Sequence, residues 1–236
     1  MIFCANCDIM IVVAERKERQ IMKLTVDKLV SEAVRFSEWF STLNHNALIG
    51  VTDGKAVGTY VEHEFQKYLS KKYEMSVGSS ALGIDLPSVS TDIKTTSIVQ
   101  PQSSCPFKSA RQKIFGLGYN LLVFVYHKKD SPNRCDLTIT HCTFIDANRT
   151  ADYTLTKMIR QMLQVDANKE DIIALLTDKN VPGDEITYNE LADEILSSPP
   201  EQGYLTISNA LQWRLQYKRV IELDNHIQGV VNYVWQ

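Results

Sequence analysis

The sequence predicts an α/β fold with a mainly helical C-terminal part. Three observations carry this reading. Two stretches of helical apolar spacing precede residue 73. The pattern then shifts to short runs rich in small and β-branched residues, with a continuous apolar run at 121–126. After residue 150 helical spacing returns.

The elements follow in order. Residues 23–43 carry Leu24, Val26, Leu29, Val30, Ala33, Phe36, Trp39 and Phe40 at helical spacing, the stripe of an amphipathic helix. Residues 44–57 read as a loop, with Asp53-Gly54 as a turn signal. Over 58–73, Val61, Phe65, Tyr68 and Leu69 form a second stripe, with Glu62 beside it and Glu64 turned elsewhere. Residues 76–84 and 89–98 read as strands separated by Leu86-Pro87-Ser88, and a hairpin is the simplest arrangement. Residues 103–117 read as a polar helix or loop-helix. Residues 121–126 suit a central strand buried on both faces, and 137–145 a further strand. Helices are expected at 151–165, 169–178, 187–197 and 206–217, with Ser198-Pro199-Pro200 breaking the third. Two short strands, 219–223 and 230–235, then flank a turn at Asn225-His226. Helices followed by a hairpin outline a winged helix. The expected organisation is an extension at 1–22, a core at 23–150 and a DNA-recognition part at 151–236.

Composition sets the outer limits. The chain has 236 residues, 44% hydrophobic and 22% charged, enough for one sizeable core with an appendage. No apolar run approaches the roughly 20 residues of a membrane span. The start, Met1-Ile2-Phe3-Cys4, lacks a basic n-region and a cleavage site, so a cytoplasmic protein without membrane partners is expected. Five cysteines, an odd number, predict free thiols. Cys4-Ala5-Asn6-Cys7 has the spacing of half a zinc site, but no second pair stands at suitable spacing. The absence of a Gly-rich phosphate loop excludes a P-loop NTPase. Ser79-Ser80 and Ser103-Ser104 lack the setting of an activated nucleophile. A net charge of −3 argues against non-specific coating of DNA but is compatible with a specific DNA enzyme.

The chemistry concentrates in 85–94. On a strand, Asp92 and Lys94 share a face, while Val89 and Ile93 point oppositely, toward a core. A carboxylate and an ammonium side by side are costly to bury unless something uses them. A hairpin brings Asp85 beside Asp92. Two close carboxylates repel, and a divalent cation relieves the repulsion. Magnesium favours oxygen ligands, using one or two carboxylates plus waters and a phosphate. Lys94 is suited to orienting or deprotonating a water, or to offsetting charge on a phosphate.

Asp85, Asp92 and Lys94, with Glu62 on the preceding helix, resemble the PD-(D/E)xK nuclease superfamily. The stretch 58–69, with Gly58 four residues before Glu62, looks like that superfamily's glutamate helix, and the resemblance covers roughly 55–145. Ile84 stands where the superfamily usually has proline. The resemblance implies a restriction-endonuclease-like core and a type II restriction endonuclease. Asp85, Asp92, Glu62 and the Ile93 carbonyl would hold Mg2+, and Lys94 would serve the water. It also implies contacts to double-stranded DNA after the catalytic strand, at Gln100, Gln102, Ser103, Ser104, Lys108, Arg111 and Gln112. The region 100–134 adds Lys113, Lys128, Lys129 and Arg134 against Asp130 alone. In the expected helix at 206–217, Asn209, Gln212 and Gln216 align on one face with Arg214 nearby, a second set of base-reading groups. A two-fold cut implies a homodimer, and a cognate DNA methyltransferase is the expected genetic partner. A repair or structure-specific nuclease of the same fold and a non-catalytic winged-helix regulator are the other readings.

Overall fold

A four-stranded mixed sheet forms the centre of the computed structural model, which describes residues 22–74, 84–104, 109–208, 214–223 and 227–235. Its strands are β3 (Thr91–Ser97), β5 (Asn120–Ser131), β6 (Arg134–Ile145) and β9 (Val230–Val234), in that order across the sheet. β3 runs parallel to β5, and the remaining pairs are antiparallel. A parallel neighbour needs a crossover. Here the chain between β3 and β5 supplies it through β4 (Gln102–Ser104) and the short helix α3 (Ala110–Phe115).

One face of the sheet is covered by α1 (Val26–Ser41) and α2 (Gly54–Ser70). Thr25 caps α1 by accepting from the Lys28 N–H, and Asp53 caps α2 by accepting from the Lys55 N–H at 3.0 Å. Asp53-Gly54, read from sequence as a loop turn, is therefore a helix start, and α2 begins four residues earlier than expected. The apolar stripes bury Leu29, Phe36 and Phe40 of α1 and Val61, Phe65 and Leu69 of α2 against Ile93, Leu122, Phe124 and Phe144. Trp39, counted in the first stripe, is 43% exposed. Ahead of α1, β1 (Met22–Lys23) pairs in parallel with β2 (Tyr73–Glu74), which follows α2.

The other face packs on a smaller sheet of order β4, β8 (Arg214–Gln216) and β7 (Thr206–Ile207). Leu121, Val123 and Val125 meet Leu205, Ile207, Leu215, Tyr217 and Val220 there. Helices α4 (Tyr153–Leu163), α5 (Lys169–Asp178) and α6 (Glu185–Ser197) stand close to their expected positions. They enclose a third cluster with Ile114 of α3. No described helix is long and apolar enough to cross a membrane.

The C-terminal expectations need correction. Residues 206–207 and 214–216 are strands, not parts of one helix. Arg214, Leu215, Gln216 and Tyr217 alternate exposed and buried, the period of a half-buried strand, and Leu215 and Tyr217 enter the second core. Residues 219–223, expected as a strand, overlap α7 (Lys218–Ile221), a single turn burying Val220 and Ile221. β9 stands where a strand was expected, but it pairs with β6, so the terminal hairpin of a winged helix is not formed. Residues 103–104, placed in a helix from sequence, pair as β4 with β8. Cys135 and Cys142 are buried free thiols, as the odd count predicts; Cys4, Cys7 and Cys105 lie outside the described residues.

Candidate active site

β3 is the edge strand of the described sheet, and its outward backbone groups organise the site. The Ile93 N–H turns away from β5 and donates to Asp85 Oδ2 at 2.9 Å. Asp85 reaches that point because the chain folds back immediately after it. Reciprocal backbone bonds between Leu86 and Thr91, at 2.9 and 3.2 Å, close a single 3-10 turn at Pro87–Val89. Ser90 takes a left-handed conformation, φ 47°, to complete it. The partner strand expected at 76–84 lies almost wholly outside the described residues. Two residues along the edge, the Thr95 N–H binds the Glu62 carboxylate. A strand residue sends its N–H and C=O to the same side, so the Ile93 carbonyl leaves by this edge as well, between the two acids.

Gly58 explains how α2 brings Glu62 so near. A Cβ on Gly58 would meet the Thr95 carbonyl oxygen at 3.5 Å, so the helix backbone lies directly on β3 at this turn. Glu64, the other acid on that helix, instead pairs with Lys67 at 2.7 Å on the surface.

Asp92 and Lys94 share the strand face, as the spacing predicts, and Lys94 Nζ lies 2.6 Å from Asp92 Oδ2. Asp92 is only 3% exposed. Burial pushes its carboxyl up to about 7, reinforced by a hydrogen bond shared with Asp85 and opposed by Lys94. Burial also lifts Glu62 to about 7, followed by the nearby Asp85 charge, with Lys94 pulling the other way. Three acids thus compete for one lysine in a half-dry pocket. Among the described residues, no three His, Cys, Asp or Glu side chains are closed around one point. All the donors are oxygens. This set fits a hard divalent cation that keeps several waters rather than one caged wholly by protein.

A groove of about 610 Å3 opens beside this edge, with Glu62 and Lys94 in its wall. Gln100, Gln102, Ser103, Ser104 and Arg214 line the same groove. The structure therefore brings five of the expected DNA-contacting residues to the candidate chemistry. The Ser103 hydroxyl is committed inward, 2.6 Å from the Tyr217 hydroxyl. Gln216 is exposed on β8, directly across from Gln102 on β4. Lys108, Asn209 and Gln212 lie outside the described residues. Gln112 sits on α3 and does not line the groove.

Arg111 does not line the groove. Its guanidinium grips Glu194 of α6 with bonds of 2.9 Å from Nε, tying α3 to the helical cluster. The broader expectation of a positive segment also weakens. Lys128 pairs with Asp130, Arg134 pairs with Asp136, and Lys113 is 5% exposed.

Sequence reasoning missed Thr96. It stands two residues beyond Lys94, on the same strand face, so the alternation that selected Asp92 and Lys94 also pointed to it. Its Oγ1 accepts from the Gln102 N–H at 3.0 Å and lies 3.2 and 3.0 Å from the Gln100 and Gln102 carbonyl oxygens. Thr96 thereby pins the turn that carries both glutamines. Tyr126 and Lys55 also line the groove and had no sequence signal. Thr95 Oγ1, in the groove wall, is a buried side-chain oxygen without a hydrogen-bond partner among the described residues.

Known proteins can be set beside this geometry. A family model described as "Type II restriction enzyme NspV" matches residues 23–232. The chain is similar to the "Type II restriction enzyme NspV" of Nostoc sp. (strain ATCC 29411 / PCC 7524). They are 56% identical over 210 residues, which cover 88% of this chain and 96% of that protein. No solved structure matches the chain.

Proposed function

Since this chain belongs to the NspV family of type II restriction enzymes, and is therefore a site-specific endodeoxyribonuclease, we propose that it hydrolyses DNA at the open edge of β3. Asp85 and Asp92 are the proposed magnesium ligands, assisted by Glu62 and the Ile93 carbonyl, and Lys94 is the residue beside the attacking water. The observation that carries this reading is convergence: three acids and one lysine meet at one strand edge, with two of the acids lifted to about 7. The bound cation would polarise the phosphate and acidify a water.

The chain's own groups do the rest. A cation held there would favour the ionised form of Asp92, which burial otherwise disfavours. Lys94 is then available to orient the water or to offset charge on the phosphate. Glu62 stays anchored on the Thr95 N–H and keeps the strand edge from taking another partner. The duplex lies along the groove, where Gln100, Gln102, Ser104 and Arg214 meet phosphates or bases. The helix, turn and strand order of 54–145 supports a restriction-endonuclease-like core. A duplex cut at a two-fold site calls for two copies, so the working form is a homodimer. A DNA methyltransferase of the same specificity is the genetic partner.

The experiment is cleavage of varied plasmid DNA with magnesium by the wild type, Asp92→Ala and Lys94→Ala. Each variant is expected to lose at least about a hundredfold in rate, the lower end for a lost acid–base or electrostatic group. If both cut as fast as the wild type, the site assignment fails.

A further inference from the structure

The small sheet β4–β8–β7 has two unlike faces. Leu215 and Ile207 point into the second core. Gln102 and Gln216 stand directly opposite each other and share the other face, and Ser104 and Arg214, also a paired position, stand one row further along it. Gln102, Ser104 and Arg214 line the groove that Lys94 and Glu62 also line.

Exposed glutamines and arginines are ordinarily solvated, and two features separate these. The first is commitment. The guanidiniums of Arg35, Arg111, Arg134, Arg149 and Arg160 all hold an acid or a carbonyl, and that of Arg219 stacks on Tyr153. Among the described residues, Arg214 is the arginine whose guanidinium has no partner, and the Gln102 and Gln216 amides have none either. The second is anchoring. Thr96 Oγ1 binds the Gln102 N–H, the Tyr217 N–H bonds to the Pro101 carbonyl at 2.8 Å, and the Arg214 N–H bonds to Ser208 Oγ at 3.2 Å. Free polar tips thus stand on a backbone that is fixed to the strand carrying Asp92 and Lys94.

An antiparallel ribbon of the width of β4 and β8, which the two-residue β7 extends only beside Gln216 and Leu215, fits the DNA major groove, where arginine pairs bidentately with guanine and glutamine with adenine. Residues two apart on a strand are about 6.7 Å apart, close to two base steps of about 3.4 Å. We propose that the exposed face of β4 and β8 reads the sequence, with Arg214 on a guanine and the Gln102–Gln216 pair on an adenine two steps away. Recognition is then by a sheet face and not by the helix face that the sequence suggested. The inference rests on the placement of the chemistry at β3 in the same groove.

The test first maps the wild-type cutting site on plasmid DNA. Single-turnover cleavage is then measured on the mapped duplex and on every duplex with one base pair changed. The proteins are the wild type, Arg214→Ala, Arg214→Lys, Gln216→Ala and Gln102→Ala. Each variant is expected to lose roughly 5- to 150-fold on the mapped site, the range of one bidentate contact, and to lose discrimination at one base pair only. Arg214→Lys keeps the charge and the strand but loses the planar fork, so its discrimination falls at the same base pair as in Arg214→Ala. Equal losses on all duplexes, with discrimination intact, would overturn the proposal, as would unchanged rates. Binding by Asp92→Ala separates the two readings. If it cuts nothing yet ranks the duplexes as the wild type does, the chemistry and the reading are distinct surfaces. If it still cuts, the placement of the chemistry fails, whatever Arg214 does.

Discussion

Asp92→Asn is the substitution with the most to say about the acid cluster. The wild-type carboxyl is 3% exposed and rises from 3.8 to about 7, about three pH units. At about 1.4 kcal/mol per unit, ionised Asp92 weakens the metal-free fold by about 4 kcal/mol. The sign follows from linkage. A raised acid binds more protons folded than unfolded, so its contribution is complete below about pH 4 and is lost as the pH rises through about 7. Asparagine has nearly the same shape and never ionises. It also removes the partner of Lys94, an attraction already contained in the rise to about 7. The expectation at pH 8 in a chelator is a variant about 4 kcal/mol more stable than the wild type, a melting temperature higher by roughly 8–16 °C for a chain of this size. At pH 5 the gap should shrink to less than half. Magnesium at pH 8 should raise the wild-type melting temperature and leave that of the variant nearly unmoved. Thermal melts from pH 5 to 8.5, with and without magnesium, measure all of this. Parallel wild-type and variant curves across that range would refute the reasoning.

Further outcomes follow from other contacts. Thr96→Val leaves the Gln102 N–H and two carbonyls short of a partner. It should cost about 1–3 kcal/mol in denaturant melts and raise KM more than it lowers kcat, while Thr96→Ser restores both. Gly58→Ala should be tolerated, because its Cβ meets Thr95 at ordinary contact distance. Gly58→Leu should push α2 off β3, costing about 1–3 kcal/mol and cutting cleavage as Glu62 shifts. Arg111→Ala should change duplex affinity less than about twofold and stability by under about 1 kcal/mol in a binding titration and a melt, because its ion pair is at the surface.

Much of the candidate edge's geometry was legible because strand geometry is local. Alternation alone put Asp92 and Lys94 together and sent Val89 and Ile93 inward, and both apolar residues are buried. The Leu86-Pro87-Ser88 break marked the turn that returns Asp85 to Ile93. What was misread is non-local. Residues 214–216 are a strand because β4, more than a hundred residues earlier, offers an edge there and because Leu215 and Tyr217 fill the second core. Amide spacing ending at Gln216 pointed to a helix, while the alternation of 214–217 pointed to a strand. The positive segment at 100–134 was counted by residue type, and composition could not show that Arg134 faces Asp136 or that Arg111 faces Glu194.

The return of the chain to the central sheet governs how the molecule is assembled in time. Val230 pairs with Ile145, and the 84 residues between them hold the helical cluster and two strands of the smaller sheet. Closing so long a loop is slow, because its entropy must be lost before β9 contributes any contact. A chain emerging in order therefore carries its acid cluster well before it carries Arg214, Gln216 or the last strand. During that interval β6 has an open edge and the second core lacks Val230, Leu215 and Tyr217. The groove in that half-built state lacks the wall that β8 supplies. The order of the chain delays a complete groove until the proposed reading surface is in place beside the proposed chemistry.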